Sequence, residues 1–358
     1  MFVRGTTHSS LGHIDVPGDI RLGWTDEFIG AYVTLGVTEP PARVARLDRG
    51  WSTLLVRADG DPLRVRNIGA DVAVGDWVVP SEDHERVDHV LPRQSAFVRR
   101  ASFEGDRAEA QTIAANIDTV VLVHALTSPP NQRRLERELV LAFDSGAMPV
   151  VVLTKDDLVD DPTSTATVGA LEAVAAGVPV MLASGITGDG IRELRALVRD
   201  NGTMALLGAS GVGKSTLINA LVGDGMLRTA DVRGGDQRGR HTTTAVELVG
   251  LPRAEGDGNG WLIDTPGVRA VSLWSSGSGI ERAFADVFDL ADRCRFRDCK
   301  HEDEPGCAVL AAIGAGQLDP RRLDAVKRLV AEEQALEEEQ RVQEKALDRR
   351  GVRRPRSR

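Results

Sequence analysis

A strand that runs into a glycine-rich loop and on into a helix leaves a chain few choices of fold, and residues 203–223 carry that pattern. The apolar run TMALL (203–207) leads into GASGVGKST (208–216), and the helical segment STLINALVG (215–223) follows. This is the GxxxxGK[ST] spacing in the context a phosphate loop requires. The glycines let backbone amides curl around phosphate oxygens, while the helix start offers unsatisfied N–H groups and a positive dipole end. Lys214 is placed to reach the β and γ phosphates, and Ser215 to give an oxygen to Mg²⁺. Gly208, Ser210, Gly211, Val212, Gly213, Lys214, Ser215 and Thr216 are therefore the candidate contacts to a nucleoside triphosphate. The loop alone names neither the base nor the work done.

The surrounding sequence supplies the sheet. Apolar runs at 118–124, 149–154, 178–182, 203–208 and 261–264 alternate with helical patterns such as 132–145 and 190–199. Nearly continuous apolar strands separated by helices predict a mostly parallel sheet covered on both faces, over residues 108–275. Residues 37–100 differ. Short β-like runs (ARVARL, STLLVRA, LRVRNI, DWVVP, RVDHVL) are punctuated by Gly50, Asp59-Gly60 and Gly75-Asp76, which predicts a small all-β barrel. Residues 1–36 show no clear period. A cysteine-bearing segment occupies 283–325, and a charged helix with a basic tail occupies 326–358. At 358 residues there is room for this multidomain arrangement, and 42% apolar with 27% charged residues excludes a wholly disordered chain.

Two motifs point to the base. Thr154-Lys155-Asp156-Asp157 ends the strand PVVVLT and resembles the guanine-reading N-K-x-D motif with Thr154 in place of Asn. Asp157 would accept hydrogen bonds from guanine N1 and N2, donors that adenine lacks, and the Lys155 stem would pack along the base. Ser184-Gly185, after the strand VPVML, resembles the S-A loop that supports the base, with Gly185 in place of Ala. Downstream, Asp264-Thr265-Pro266-Gly267 follows the strand GWLID. Asp264 can hold Mg²⁺ through water, and the Gly267 amide can sense the γ phosphate. Between loop and acid lies GRHTTT (239–244), whose position fits a switch that supplies a Mg²⁺-binding threonine, for which Thr243 is the favoured choice. The order is unusual: both base motifs precede the phosphate loop. The same pocket assembles if the sheet's connectivity is circularly permuted.

All three cysteines lie within fourteen positions with one histidine, as Cys294-x₄-Cys299-x-His301-x₅-Cys307. Three thiolates and an imidazole make a closed tetrahedral Zn²⁺ site with no position left for substrate, so the ion should be structural.

Taken in order, TKDD, ASG, GASGVGKST, GRHTTT, DTPG and the C-x₄-C-x-H-x₅-C cluster resemble the circularly permuted ribosome small-subunit-dependent GTPase A family, over roughly residues 37–325. The resemblance implies that the barrel is of the oligonucleotide-binding (OB) type. It also implies that the chain hydrolyses GTP to GDP and phosphate, stimulated by the 30S subunit and its 16S rRNA, late in that subunit's assembly. It places Gly208, Gly213, Lys214, Ser215 and Thr216 on phosphate, and Lys155 and Asp157 on the base. Asp264 and Gly267 fall on the switch, and Cys294, Cys299, His301 and Cys307 on zinc. Thr154 and Gly185 depart from the family. Loss of one amide costs the pocket about 1 kcal/mol if the Thr154 hydroxyl partly substitutes. Where Ras-like proteins keep a water-positioning glutamine after the DxxG motif, this chain has Val268-Arg269. Intrinsic turnover should therefore be slow, with His241 the candidate to position water beside Lys214 and Thr243. Because DTPG runs directly into the C-terminal segment, γ-phosphate contacts are expected to move the zinc module between two arrangements.

Charge bears on partners. The net charge of −9 argues against a protein that simply coats nucleic acid. In the barrel region Arg43, Arg46, Arg57, Arg64, Arg66, Arg93, Arg99 and Arg100, with few aromatics, suit a structured RNA read through its phosphates. Trp77 is expected in the core. The tail RRGVRRPRSR (349–358) is either a frayed, solvated end or an arm that touches phosphates. No apolar run approaches a membrane span and the N-terminus has no apolar signal core, so a cytoplasmic monomer is expected. Two other readings stay open: a GTP- or ATP-binding RNA-interaction module with little hydrolysis, and an ATP-driven enzyme.

Overall fold

The computed structural model describes residues 18–99, 111–129, 131–175, 177–223, 246–252, 260–264 and 278–349. Helix α1 (Asp26–Leu35) is followed by strands β1 (Ala42–Asp48), β2 (Trp51–Leu55), β3 (Leu63–Arg66), β4 (Trp77–Pro80) and β5 (Val87–Val90). β1 pairs antiparallel with both β2 and β4, β2 with β3, and β4 with β5. A parallel bridge between Arg66 and Arg86 joins the end of β3 to the start of β5 and closes the circuit. The result is the OB-type barrel, filled by short apolar chains such as Val44, Leu54, Val65, Val78 and Val87.

Residues 20–35, where the sequence showed no period, dock through aromatics spaced four apart. Trp24, Phe28 and Tyr32 are buried, and Trp24 and Phe28 meet the fully buried Trp77 with ring centroids 4.8 and 5.9 Å away. Trp77 is thus the core residue expected of it.

After a two-stranded sheet of β6 (Ala96–Arg99) and β7 (Gln111–Ala115), the chain enters the strand–helix alternation. β8 (Thr119–Ala125), α2 (Gln132–Asp144), β9 (Met148–Thr154), α3 (Asp161–Ala175), β10 (Val180–Ala183) and α4 (Ile191–Ala196) come first. Then follow β11 (Thr203–Gly208), α5 (Lys214–Val222), β12 (Glu247–Gly250) and β13 (Trp261–Asp264). The strand order is β10-β9-β8-β11-β13, all parallel, with β12 antiparallel beyond β13. Alternate residues explain the continuous apolar runs. Val120, Leu122, Val151, Leu153, Ala205 and Leu207 pack with α2 and α3, whereas Val121, Val123, Val150, Val152, Met204 and Leu206 pack with α4 and α5.

β12 also pairs with β1, opposite Arg46 at Glu247, so barrel and nucleotide sheet are hydrogen-bonded into one continuous sheet. An Arg46–Glu247 ion pair of 2.5 Å reinforces that seam.

Of the C-terminal helices α6 (Ser278–Ala283), α7 (Ala285–Ala291), α8 (Ala308–Gly314) and α9 (Pro320–Arg349), α6 and α9 pack on α2, while α7 packs between α6 and α8. Arg322 locks them. Its buried guanidinium bonds the Asp286 carboxylate and the carbonyls of Ala283 and Val174, and lies over the Phe284 ring. No helix among the described residues is long and apolar enough to cross a membrane.

Candidate nucleotide site and metal centre

Because β8, β9, β10, β11 and β13 are parallel, their C-terminal ends share one edge of the sheet, where open α/β sheets bind ligands. That edge gathers Thr154, Ser184, Gly208 and Asp264, the ends or immediate continuations of four strands scattered over 110 positions in sequence (264 − 154).

Gly208 pairs with Val123, and a side chain there would collide with the Val123 carbonyl. Gly211 and Gly213 sit at φ +80° and +98°, in the left-handed region that favours glycine. Helix α5 begins at Lys214 directly after Gly213, which makes no side-chain cap, and a helix start of this kind presents backbone N–H groups that suit an anion. The Lys214 ammonium folds back over the loop, donating to the Gly208 carbonyl at 2.7 Å and to that of Ala209. Ser210, Gly211, Ser215 and Thr216 are exposed, and Val212 is partly so.

On the base side, Lys155 adopts φ +63° and turns the chain into a short 3₁₀ turn, Asp156–Leu158. The two acids then separate. Asp156 accepts a hydrogen bond from Ser164 Oγ at 2.7 Å, while Asp157 stays exposed and accepts one from Ser184 Oγ at 2.7 Å. The amides of Ile186 and Thr187 donate to that same Ser184 oxygen, which commits its proton to Asp157. Thus the two base motifs, 27 residues apart, are joined by one hydrogen bond.

The two departures from the family have local reasons. The buried Thr154 hydroxyl lies within hydrogen-bond reach of the His124 and Val212 carbonyls, so it ties the base strand to the phosphate loop. At Gly185 a Cβ would lie 2.8 Å from the Thr216 carbonyl carbon and oxygen, because this loop rests on the first turn of α5. Neither contact leaves a signal in sequence. The role of Glu247 was also missed. It stands opposite Asp264 in the β12–β13 register, and burial together with the Glu247 charge raises the Asp264 carboxyl above its ordinary range. The expected site residues His241, Thr243 and Gly267 lie outside the described residues, as do Val268, Arg269 and the arginine tail from 350 onward.

The second centre lies between α7 and α8. His301 Nδ1 is 3.3 Å from Cys307 Sγ and 3.7 Å from Cys294 Sγ, and those two sulfurs are 3.9 Å apart. With Cys299, all four ligand atoms lie within 4.8 Å of one another. A tetrahedral ion with bonds of about 2.3 Å to sulfur and about 2.0 Å to nitrogen spaces its ligands roughly 3.5–3.8 Å apart, so the group can hold a metal ion. The amides of Ala308 and Leu310 point at Cys294 and Cys307 Sγ, each at 3.4 Å. Burial opposes a charge on Cys294, but the Val309 and Ala308 amides outweigh it and lower that thiol. Burial and the neighbouring thiols push Cys299 up to about 11, and burial lowers His301, which favours the neutral form a ligand needs.

Of the arginines read as RNA-facing, three are corrected, the first being Arg46, which is held by Glu247 and Asp48 at the β1–β12 seam. Arg43 is 2% exposed and turned into the fold, and Arg93 is spent on Asp76, Asp71 and Thr112. Arg57, Arg64 and Arg66 are exposed, the last two lying over the Trp51 ring.

The family model "RsgA GTPase" matches residues 90–274. A Streptomyces coelicolor protein named small ribosomal subunit biogenesis GTPase RsgA is 45% identical over 332 residues, covering 88% of this chain and 86% of its own. A Methanosarcina acetivorans protein of the same name is 38% identical over 90% and 88%. Among solved structures, YjeQ from Thermotoga maritima superposes with TM-score 0.60 at 25% identity, over 82% of this chain and 98% of that one. YloQ, described as a circularly permuted GTPase, gives 0.61 at 24% identity, over 83% and 96%, a likeness of fold.

Proposed function

The chain belongs to the RsgA GTPase family, and from that premise we propose that it hydrolyses GTP to GDP and phosphate in the service of small ribosomal subunit biogenesis. The observation that carries the base assignment is the Ser184–Asp157 hydrogen bond, which presents an exposed carboxylate at the edge where the phosphate loop opens. A carboxylate there accepts from guanine N1 and N2, and the Lys155 stem covers the base face. Gly208, Ser210, Gly211, Val212 and Gly213 wrap the phosphates with backbone amides. Thr216 supports the α phosphate, and Lys214 leaves its loop carbonyls for the β and γ oxygens.

Ser215 and Asp264 are the proposed Mg²⁺ ligands, joined by Thr243 from the switch. The half-buried Asp264 carboxyl, pressed by Glu247, is a donor that a cation would favour. The ion, when bound, neutralises charge on the β and γ phosphates. Gly267 reports the γ phosphate and His241 positions the attacking water. Cys294, Cys299, His301 and Cys307 hold a structural Zn²⁺ in this reading, because thiolate-rich tetrahedral sets select it. The partner is the 30S subunit with its 16S rRNA, met by exposed basic groups around Trp51 and along CRFRDCKH (294–301). The protein acts as a cytoplasmic monomer.

The test exchanges the base reader. Asp157→Asn should lose GTP affinity and gain xanthosine triphosphate, while Lys214→Ala should lose both. Equal binding of ATP and GTP by the unaltered protein would defeat the base assignment.

A further inference from the structure

At the opposite end of the same strands lies a partly open cavity of about 320 Å³, where α1, the barrel and the starts of β8 and β11 meet. Small-molecule sites begin at about this size, favour such seams, and are marked by a few converging polar groups. Arg43, on β1, lines it together with Asn116, Asp118, Thr119, Thr203 and, at the rim, the exposed Arg199.

The buried charge is what makes the cavity specific. Arg43 Nη2 donates to Thr203 Oγ1 at 2.7 Å and to the Asn116 carbonyl at 3.2 Å, and Nη1 donates to the Leu22 carbonyl. Its Nε is buried without a hydrogen-bond partner among the described residues. Among the described residues no carboxylate forms an ion pair with it. Asp118, which lines the same cavity, accepts from the Thr203 amide, and Asp76 is bound by Arg93. Burial lowers the guanidinium to about 10, and the more distant charges of Asp118 and Asp76 offset this only in part. A guanidinium taken out of water without a paired anion is held at a cost in desolvation, which an anion beside it would relieve.

We propose that this seam is a binding site for a small singly charged oxyanion, a carboxylate or phosphate group held by Arg43 with Arg199 at the mouth. Asp118 and Asp200 in the same lining disfavour polyanions and suit a ligand that also carries a hydrogen-bond donor. The site is separate from the nucleotide edge, since it touches Thr119 and Thr203, the first residues of β8 and β11, rather than their last. A ligand there would bridge α1, the barrel and the nucleotide sheet.

The Trp77 ring, 5.9 Å from the Arg43 guanidinium, provides a readout. The full-length protein, saturated with GDP and Mg²⁺ so that the phosphate loop is filled, is titrated with inorganic phosphate and separately with acetate. Sodium chloride at matched ionic strength serves as the control. A saturable change in tryptophan emission with either anion is expected, and the anion that gives it identifies the headgroup. Arg43→Met should abolish the change, and Arg199→Ala, an exposed position that leaves folding intact, should raise the half-saturating concentration severalfold. A response no greater than that to chloride, or one unchanged in either folded variant, would overturn the proposal.

Discussion

Replacing Gly185 with alanine should damage the protein, although alanine is the residue the family's base-supporting loop carries. The Gly185 backbone needs no positive φ, so the cost is one of space. An ideal Cβ would lie 2.8 Å from the Thr216 carbonyl carbon and oxygen and 3.0 Å from the Leu217 amide nitrogen, where ordinary contact begins at 3.4 Å. All three atoms are backbone in the first turn of α5 and cannot rotate away. Forcing a methyl into such a contact costs about 1–3 kcal/mol. The strain falls on the turn that carries Lys214, Ser215 and Thr216, so it should appear as weaker nucleotide binding, about tenfold for each 1.4 kcal/mol. Titration with a fluorescent GDP analogue, run beside thermal unfolding, measures both parts. Gly30→Ala is the matched control: a Cβ at this position within α1 meets nothing within 4 Å, and the change should stabilise by about 0.5–1 kcal/mol. If Gly185→Ala keeps both the melting temperature and the GDP affinity of the parent, the tight loop–helix contact is not real and the explanation of Gly185 falls.

Other consequences are as direct. Arg322→Ala removes the buried partner of Asp286 and two backbone carbonyls, and should cost about 3–5 kcal/mol in urea unfolding. Burial and Glu247 hold the Asp264 proton more tightly than in an ordinary carboxyl, so the carboxylate is lost at a higher pH on acidification. The Mg²⁺ concentration needed for half-maximal GTP turnover should accordingly rise as pH falls toward the carboxylate range, and Glu247→Gln should reduce that rise. If the cysteine cluster holds the proposed zinc, chelation should strip the metal and open residues 294–307 to proteolysis, with Cys294→Ser reproducing the loss in metal analysis.

The sequence displayed most of the sheet because strands buried on both faces must be apolar throughout, and PVVVLT and DTVVLVH, short and rich in valine, read as such strands. The phosphate loop and the cysteine cluster were legible for a related reason: their chemistry fixes residue type at fixed spacing. What escaped were contacts between distant segments. Nothing in ARVARL says that β1 pairs with β12, and nothing around Arg43 distinguishes a buried guanidinium from an exposed one. The aromatics of residues 24–32 repeat at helical spacing, but they serve one docking face against Trp77 and form too short a pattern to stand out. Gly185 looked like a flaw in a motif until α5 was found beneath it.

In the proposed function a permuted chain assembles a guanine-reading pocket whose hydrolysis answers to the small ribosomal subunit. Phosphate release from GTP and from ATP, with and without purified small subunits and with Lys214→Ala as the blank, tests it most directly. Turnover confined to GTP, slow alone and rising strongly with the subunit, is the predicted result. Turnover indifferent to the subunit, or as fast on ATP, would contradict it.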